Sequence, residues 1–195
     1  LPNQSLEDWR ADLEQTMALH PDHVSAYNLT YEEDTPFFNQ LGHGAFHDDE
    51  DNNADHFYLA DEMLTQAGYG HYEISNYARP DAESHHNRAY WAGKDYLGLG
   101  PSAVSTVGGK RWRNVPDTAL YARNMANIQI DEEILSENDR HNERVALLLR
   151  TLEGIPDDLL AASSRRRASE LAEEGVLEFT NDHFRLTPTH RALVD

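Results

Sequence analysis

The chain has 195 residues, with 16 Lys and Arg against 35 Asp and Glu for a formal net charge of −19, and no cysteine. Its length buries a real core in one or two domains, and 39% hydrophobic with 26% charged residues suits a globular protein. The charge argues against nucleic acid or an anionic membrane as the main partner. The missing thiols exclude disulfides and thiolate-held iron–sulfur or zinc sites within the chain, and no apolar run is long enough to span a membrane.

The first residues, Leu1-Pro2-Asn3-Gln4, read as the interior of a longer protein. Ser5 with Asp8 three residues on is a helix start of the capping-box kind. Leu6, Trp9, Leu13 and Met17 follow at helical spacing, and Pro21 closes the segment. Val24 to Thr30 reads as a short strand with Val24, Ala26, Asn28 and Thr30 on one face. That face is apolar at its start and polar at its end. It suits a parallel barrel strand with its polar end at the mouth, and equally an ordinary half-buried strand.

Thr35 to Glu50 reads as a loop carrying Gly42 and Gly44. Its His43, His47, Asp48, Asp49, Glu50 and Asp51 form a solvated acidic run rather than a metal site, because their spacing fits no ligand pattern. From Asn53, the positions Ala54, Phe57, Ala60, Leu64 and Ala67 predict an amphipathic helix stopped by Gly68. A strand is expected from Tyr72 through Ile74 to Tyr77, so that helix and strand alternate as in the tail of a βα series.

The next stretch, His85-His86-Asn87-Arg88-Ala89-Tyr90-Trp91, holds two imidazoles, an amide, a phenol and an indole. Imidazole ligates iron, and aromatic rings lie well on a flat apolar ligand. The same residues also suit a loop that packs its rings on the core and leaves both histidines in water. Gly98 and Gly100, just beyond, let the backbone approach something bulky. Gly108 to Asn114, with Lys110, Arg111 and Arg113, is the main basic cluster. It suits a carboxylate-bearing ligand, or a surface turn that balances acidic neighbours. Pro116 to Ile128 is expected to be a bridging helix.

From Glu137 the pattern changes. Val145, Leu148, Leu149 and Leu152 predict one helical face ended by Gly154, and Ile155 to Ala162 a short helical piece. Arg165 to Glu174 predicts another helix, and Val176–Phe179 with His183–Leu186 a hairpin around Asn181-Asp182. This order suggests a winged-helix-like module. Its Arg165-Arg166-Arg167 run is a poor phosphate footprint among so many acids.

Three of these segments resemble one family. His86-Asn87-x-x-Tyr90-Trp91 resembles the HNxxYW signature of the HemW heme chaperones. Tyr72 to Pro80 resembles their YEISN(F/Y)ARP segment. Asp95 to Ser105 resembles their DYLGLG segment and the AHS that follows it, with Val104 where a His is common. The opening residues are similar to the family's GLPxQ turn. HemW stands with the oxygen-independent coproporphyrinogen III oxidases among radical S-adenosylmethionine (SAM) proteins, and the likeness covers nearly the whole chain. Two departures stand out: the family's cluster-binding CxxxCxxC has no counterpart here, and His190 stands where Gly is common.

The resemblance implies an α/β fold: the C-terminal half of a partial (β/α) radical SAM barrel, followed by a small winged-helix-like α+β domain. Residues 1–108 would be the barrel part, 109–135 a connecting segment, and 136–195 the HemN-type C-terminal domain covering the barrel opening. It implies a protein that binds heme and delivers it to acceptor proteins. His86 would offer a ring nitrogen to the iron, Tyr90 and Trp91 would cover the macrocycle, and Asn87 would orient the segment. Thr30 and Val104 match positions that touch SAM. The whole protein would bind SAM and a [4Fe–4S] cluster. This chain lacks the cluster ligands, so it would not begin reductive SAM cleavage alone, and no catalytic residue is named.

The implied partners are heme or porphyrin and heme-accepting proteins in the cytoplasm, not nucleic acid. Membrane-associated acceptors and a homodimer stay open, the latter because a half-barrel would leave a bare sheet edge. One alternative is a coproporphyrinogen III oxidase, a class that usually lacks the full HNxxYW. Another is a winged-helix interaction module.

Overall fold

The computed structural model describes residues 1–123 and 128–194, the last two of these by backbone alone. Helix α1 (Leu6–Ala18) begins at a true capping box: the Ser5 hydroxyl accepts from the Asp8 amide while the Asp8 carboxylate accepts from the Ser5 amide. It packs along α3 (Glu50–Gln66), and the Trp9 indole donates to the His56 carbonyl at 2.9 Å. Between them lie strand β1 (His23–Ser25) and helix α2 (Pro36–Gly42). Helix α2 corrects the expected loop: Thr35 caps it, and Pro36 occupies its first turn, where the missing N–H costs nothing. Helix α3 starts three residues earlier than its apolar period indicates, because Asp49 serves as N-cap.

The strand expected across Tyr72–Tyr77 is a tight hairpin. Strands β2 (Gly70–Glu73) and β3 (Asn76–Ala78) pair antiparallel across Ile74-Ser75. β3 also pairs antiparallel with β1, giving the order β1-β3-β2. β1 and β2 therefore run the same way, as in a βα series, with the returning β3 between them. The ladder of β1 ends at Ser25, although the burial of residues 24–30 keeps the expected gradient from buried Val24 to exposed Asn28 and Thr30. One core joins Leu13, Val24, Ala60, Leu64, Tyr69 and Tyr77 under this sheet.

Helix α4 (His85–Trp91) follows, capped by Ser84, where a loop was one of the two readings. The expected connecting segment, 109–135, carries two strands. β4 (Val104–Val107), β5 (Lys110–Asn114) and β6 (Gln129–Ile134) form an antiparallel sheet in that order. The expected bridging helix is reduced to α5 (Thr118–Arg123); residues 124–127 lie outside the described residues, and Ile128 is not helical.

The last part has α6 (Glu137–Leu149), β7 (Ile155–Pro156), a 3₁₀ turn at Asp157–Leu159, α7 (Ala162–Glu173), and the hairpin β8 (Leu177–Thr180) and β9 (His183–Leu186). Ile155 to Ala162 was expected to be helical. Pro156, in extended backbone, lets Ile155 pair with Phe184 instead. Asn181 and Asp182 both take positive φ, the geometry a two-residue hairpin turn needs. The core is Leu148, Ile155, Leu160, Ala168, Leu177, Phe184 and Leu186, and Val145 and Leu149 pack against it from α6. Helix, strand, helix and winged hairpin in this order form a winged-helix-like module. Its Arg165 and Arg167 are taken up by Asp157, Glu170 and Glu174.

This module docks on the first sheet through backbone. The Ile74 amide donates to the Arg150 carbonyl at 3.0 Å, the Leu152 amide to the Tyr72 carbonyl at 3.4 Å, and Glu73 bridges Thr151 antiparallel. Residues 150–152 thus cover much of the β2 edge, one of the two outer edges of that sheet.

Candidate functional site

The aromatic helix α4 sits where the two parts meet. Arg88 bridges Glu83 at 2.5 Å and Glu153 at 2.9 Å, and Arg144 of α6 donates to the Ala92 carbonyl at the end of α4. Beside the helix lies a groove of about 500 Å³, within the range of small-ligand pockets. His85, Arg88, Trp91 and Lys94 line it from the helix side, Tyr72 and Glu73 from β2, and Leu148 and Leu152 from the C-terminal module. Arg150 lies over the Trp91 ring at 5.8 Å.

The helix spreads the four proposed heme residues over different sides. Trp91 faces the groove. Asn87 turns toward Tyr72, donating to its hydroxyl at 3.4 Å, while His23 meets the same hydroxyl at 2.8 Å. Tyr90 is 40% exposed and packs on Trp91 and Tyr96, with centroids 5.4 Å away in each case. His86 is exposed and one turn before Tyr90, so the two share the open side of the helix. His85, not His86, borders the groove.

The other two proposed residues are not brought together. Thr30 lines a separate cavity of about 330 Å³ with Trp9, Tyr27, Asn28, Phe57 and Tyr77. Its aromatic walls and side-chain amide suit an adenosyl group with polar substituents. Val104 lies on β4, partly exposed, and is not among the residues lining that cavity.

The glycine run serves the protein's own packing. A Cβ on Gly98 would sit 2.2 Å from the Val104 carbonyl oxygen, and the buried Asn114 amide donates to the carbonyls of Gly98 and Gly100 at 3.1 and 3.0 Å. The basic cluster is also engaged internally: Arg111 forks onto Glu143 at 2.7 and 2.8 Å, Arg113 pairs with Asp131, and Lys110 with Glu132. Of the two readings of that cluster, balance of acidic neighbours fits the structure. In the acidic loop, Asp49 caps α3 and Asp48 accepts from Asn53. Among the described residues no group of three or more acidic or imidazole side chains is placed to hold a metal.

Glu73 and His71 were not singled out by sequence reasoning. Their only signal is position: Glu73 lies inside the Tyr72–Pro80 segment and His71 just before it. Glu73 is 2% exposed. Burial raises its carboxyl above the ordinary carboxylate range, against the opposing pull of the Asn76 amide, the Ser75 backbone, His71 and the Trp91 indole. His71, 4% exposed, stacks on Tyr77 at 4.2 Å, with Nε2 toward the Ile74 carbonyl at 3.0 Å and Nδ1 2.8 Å from Asp61. Burial would raise the Asp61 carboxyl, but the hydrogen bond and charge of His71, with Arg191, outweigh it and hold it low.

The stability attached to Glu73 is fully present below its unfolded value of 4.5 and is lost as pH rises through the raised folded value. Glu73→Gln keeps an acceptor for Asn76 and cannot ionise. It should match the wild type near about pH 4 and melt higher than it near about pH 8. A difference in melting temperature that is the same at both pH values would contradict the assignment.

Residues 135–193 match the HemN C-terminal domain family. The heme chaperone HemW of Mycobacterium tuberculosis is 34% identical over 198 residues, covering all of this chain and 51% of that protein. The Lactococcus lactis heme chaperone HemW is 32% identical over 183 residues, covering 93% of this chain and 48% of the relative. The chain thus spans about half the length of the curated relatives it matches. The solved coproporphyrinogen III oxidase (HemN) of Escherichia coli, a radical SAM enzyme, superposes with a TM-score of 0.72 at 21% identity over all of this chain and 51% of that one. The fold is therefore a mixed α/β architecture like that of this enzyme, ending in a winged-helix-like domain. The chain belongs to the family of the HemW heme chaperones, and its residues 135–193 carry a HemN C-terminal domain.

Proposed function

We propose that this chain is the heme-binding portion of a HemW-like protein, taking up heme at helix α4 and passing it to acceptor proteins. The observation that carries this reading is the geometry of α4. An exposed imidazole stands one turn from an exposed phenol, and an indole turns into a groove of about 500 Å³. The His86 imidazole offers a ring nitrogen to the iron, while Tyr90 and Trp91 supply aromatic surface for the macrocycle. Lys94, for which no ion pair is formed among the described residues, lies at the groove to meet a porphyrin carboxylate. Residues 1–108 and 136–195 are the two working units on this reading, and the sheet of β4, β5 and β6 joins them.

SAM, when bound by the whole protein, would lie against Thr30 in the separate cavity, with Val104 as the second position the family likeness assigns to it. The cysteine-free sequence has no thiolate for a [4Fe–4S] cluster, so that group would be held by residues this chain does not contain. No described helix is long and apolar enough to cross a membrane.

Hemin titration of the chain should give a Soret band. His86→Ala with Trp91→Ala should weaken binding at least several-fold, and His85→Ala much less. An unchanged affinity in the double variant would remove the site from α4. A wild type without a Soret shift would remove the function.

A further inference from the structure

A second, smaller chamber of about 120 Å³ lies between the β2–β3 hairpin and the C-terminal module. Arg150, Arg185 and Arg191 border it, with His71, Glu73 and Glu178. Three guanidinium groups around one chamber are unusual in a chain of net charge −19. The module contributes all three, from the end of α6, from β9 and from the 3₁₀ turn at Pro188–Val194.

Three buried polar atoms of the lining have no hydrogen-bond partner among the described residues: Arg191 Nε, Glu73 Oε2 and His71 Nδ1, the last 2.8 Å from Asp61 Oδ1. A buried donor without an acceptor is destabilising, so it marks a place where a partner belongs. Arg185 spends its Nε on the Glu153 carbonyl at 3.2 Å. The charge of Arg191 also acts on Asp61, whose Oδ1 lies against His71, but the Nε–H still lacks an acceptor. Glu178 is exposed, so water screens its charge. The orphaned Nε–H of Arg191 is a donor, and with the guanidinium groups of Arg185 and Arg150 on the same wall it calls for an acceptor carrying negative charge.

We propose that this chamber is an oxyanion subsite, in which Arg185 and Arg191 hold a carboxylate or phosphate group between the hairpin and the C-terminal module. Guanidinium matches such groups in fork geometry, and the small volume admits one of them rather than a larger ligand. An anion there ties the module to the sheet at the same seam that residues 150–152 close by backbone pairing.

The test is a titration of the full chain with inorganic phosphate at constant ionic strength, followed by calorimetry and by melting temperature, with chloride as control. Phosphate should bind and should raise the melting temperature above the chloride control. Arg191→Gln and Arg185→Gln should each weaken phosphate by about tenfold, the scale of a lost charge-assisted hydrogen bond. Should Arg191→Gln fail to fold, Arg185→Gln carries the comparison alone. A phosphate response no larger than that to chloride, as from a chamber holding only water, overturns the proposal. So do variants that titrate like the wild type.

This titration stands independently of heme, and hemin then identifies the source of the anion. Competition between phosphate and hemin, but not the dimethyl ester of hemin, assigns the group to a porphyrin propionate. A phosphate isotherm unchanged by hemin assigns it to a free anion.

Discussion

Gly154→Ala is expected to lower the melting temperature of the C-terminal module by more than about 10 °C. Gly154 ends the turn after residues 150–152 with φ of +74°, and its amide donates to Thr151 Oγ1 at 3.2 Å. A left-handed backbone costs a residue with a Cβ roughly 1–2 kcal/mol. The new carbon would also sit 2.4 Å from the Phe184 carbonyl oxygen and 2.6 Å from Arg185 Cγ, so β9 must move. Forcing extra bulk into a packed place costs about 1–3 kcal/mol more. For a module of this size each kcal/mol lowers the midpoint by about 4–8 °C. Because Thr151 and Leu152 border both the groove and the small chamber, hemin and phosphate affinities should fall with stability. A thermal melt within about 2 °C of wild type would show that β9 yields freely at this point.

Leu64→Ala should cost about 2–5 kcal/mol, the range for emptying a buried leucine position. Leu64 has 0% exposure and shares its core with Leu13, Val24, Tyr69 and Tyr77. It is the anchor by which α3 presses on the hairpin carrying His71 and Glu73. Urea unfolding gives the cost directly, and a loss under about 1 kcal/mol would mean that the neighbouring side chains close the cavity. Leu64→Met, which keeps most of the volume, should cost less than about 1.5 kcal/mol.

The sequence alone determined what depends on near neighbours. The capping box at Ser5, the helical faces of α1 and α3, that of α6 as far as Leu149, and the Asn181-Asp182 turn are set within four or five residues, and each lies about where its local chemistry puts it, while Leu152, expected on the same face, falls beyond the end of α6. The family likeness was legible for a related reason: its motifs are short contiguous strings, and the chain carries three of them in order.

Only the tertiary structure decided the rest. Nothing near Glu73 in sequence announces Thr151 alongside it, 78 residues on, or says that this pairing buries the carboxyl. The glycines at 98 and 100 signal a close backbone approach, but not that their partners are the chain's own β4 and Asn114. The residues of the 85–91 stretch are legible, but which side of α4 each imidazole takes depends on where α6 and β2 stand. That arrangement sends His85 to the groove and leaves His86 in the open. Local periodicity carries no record of contacts made across 50 or more residues; packing selects them by the surface they bury together.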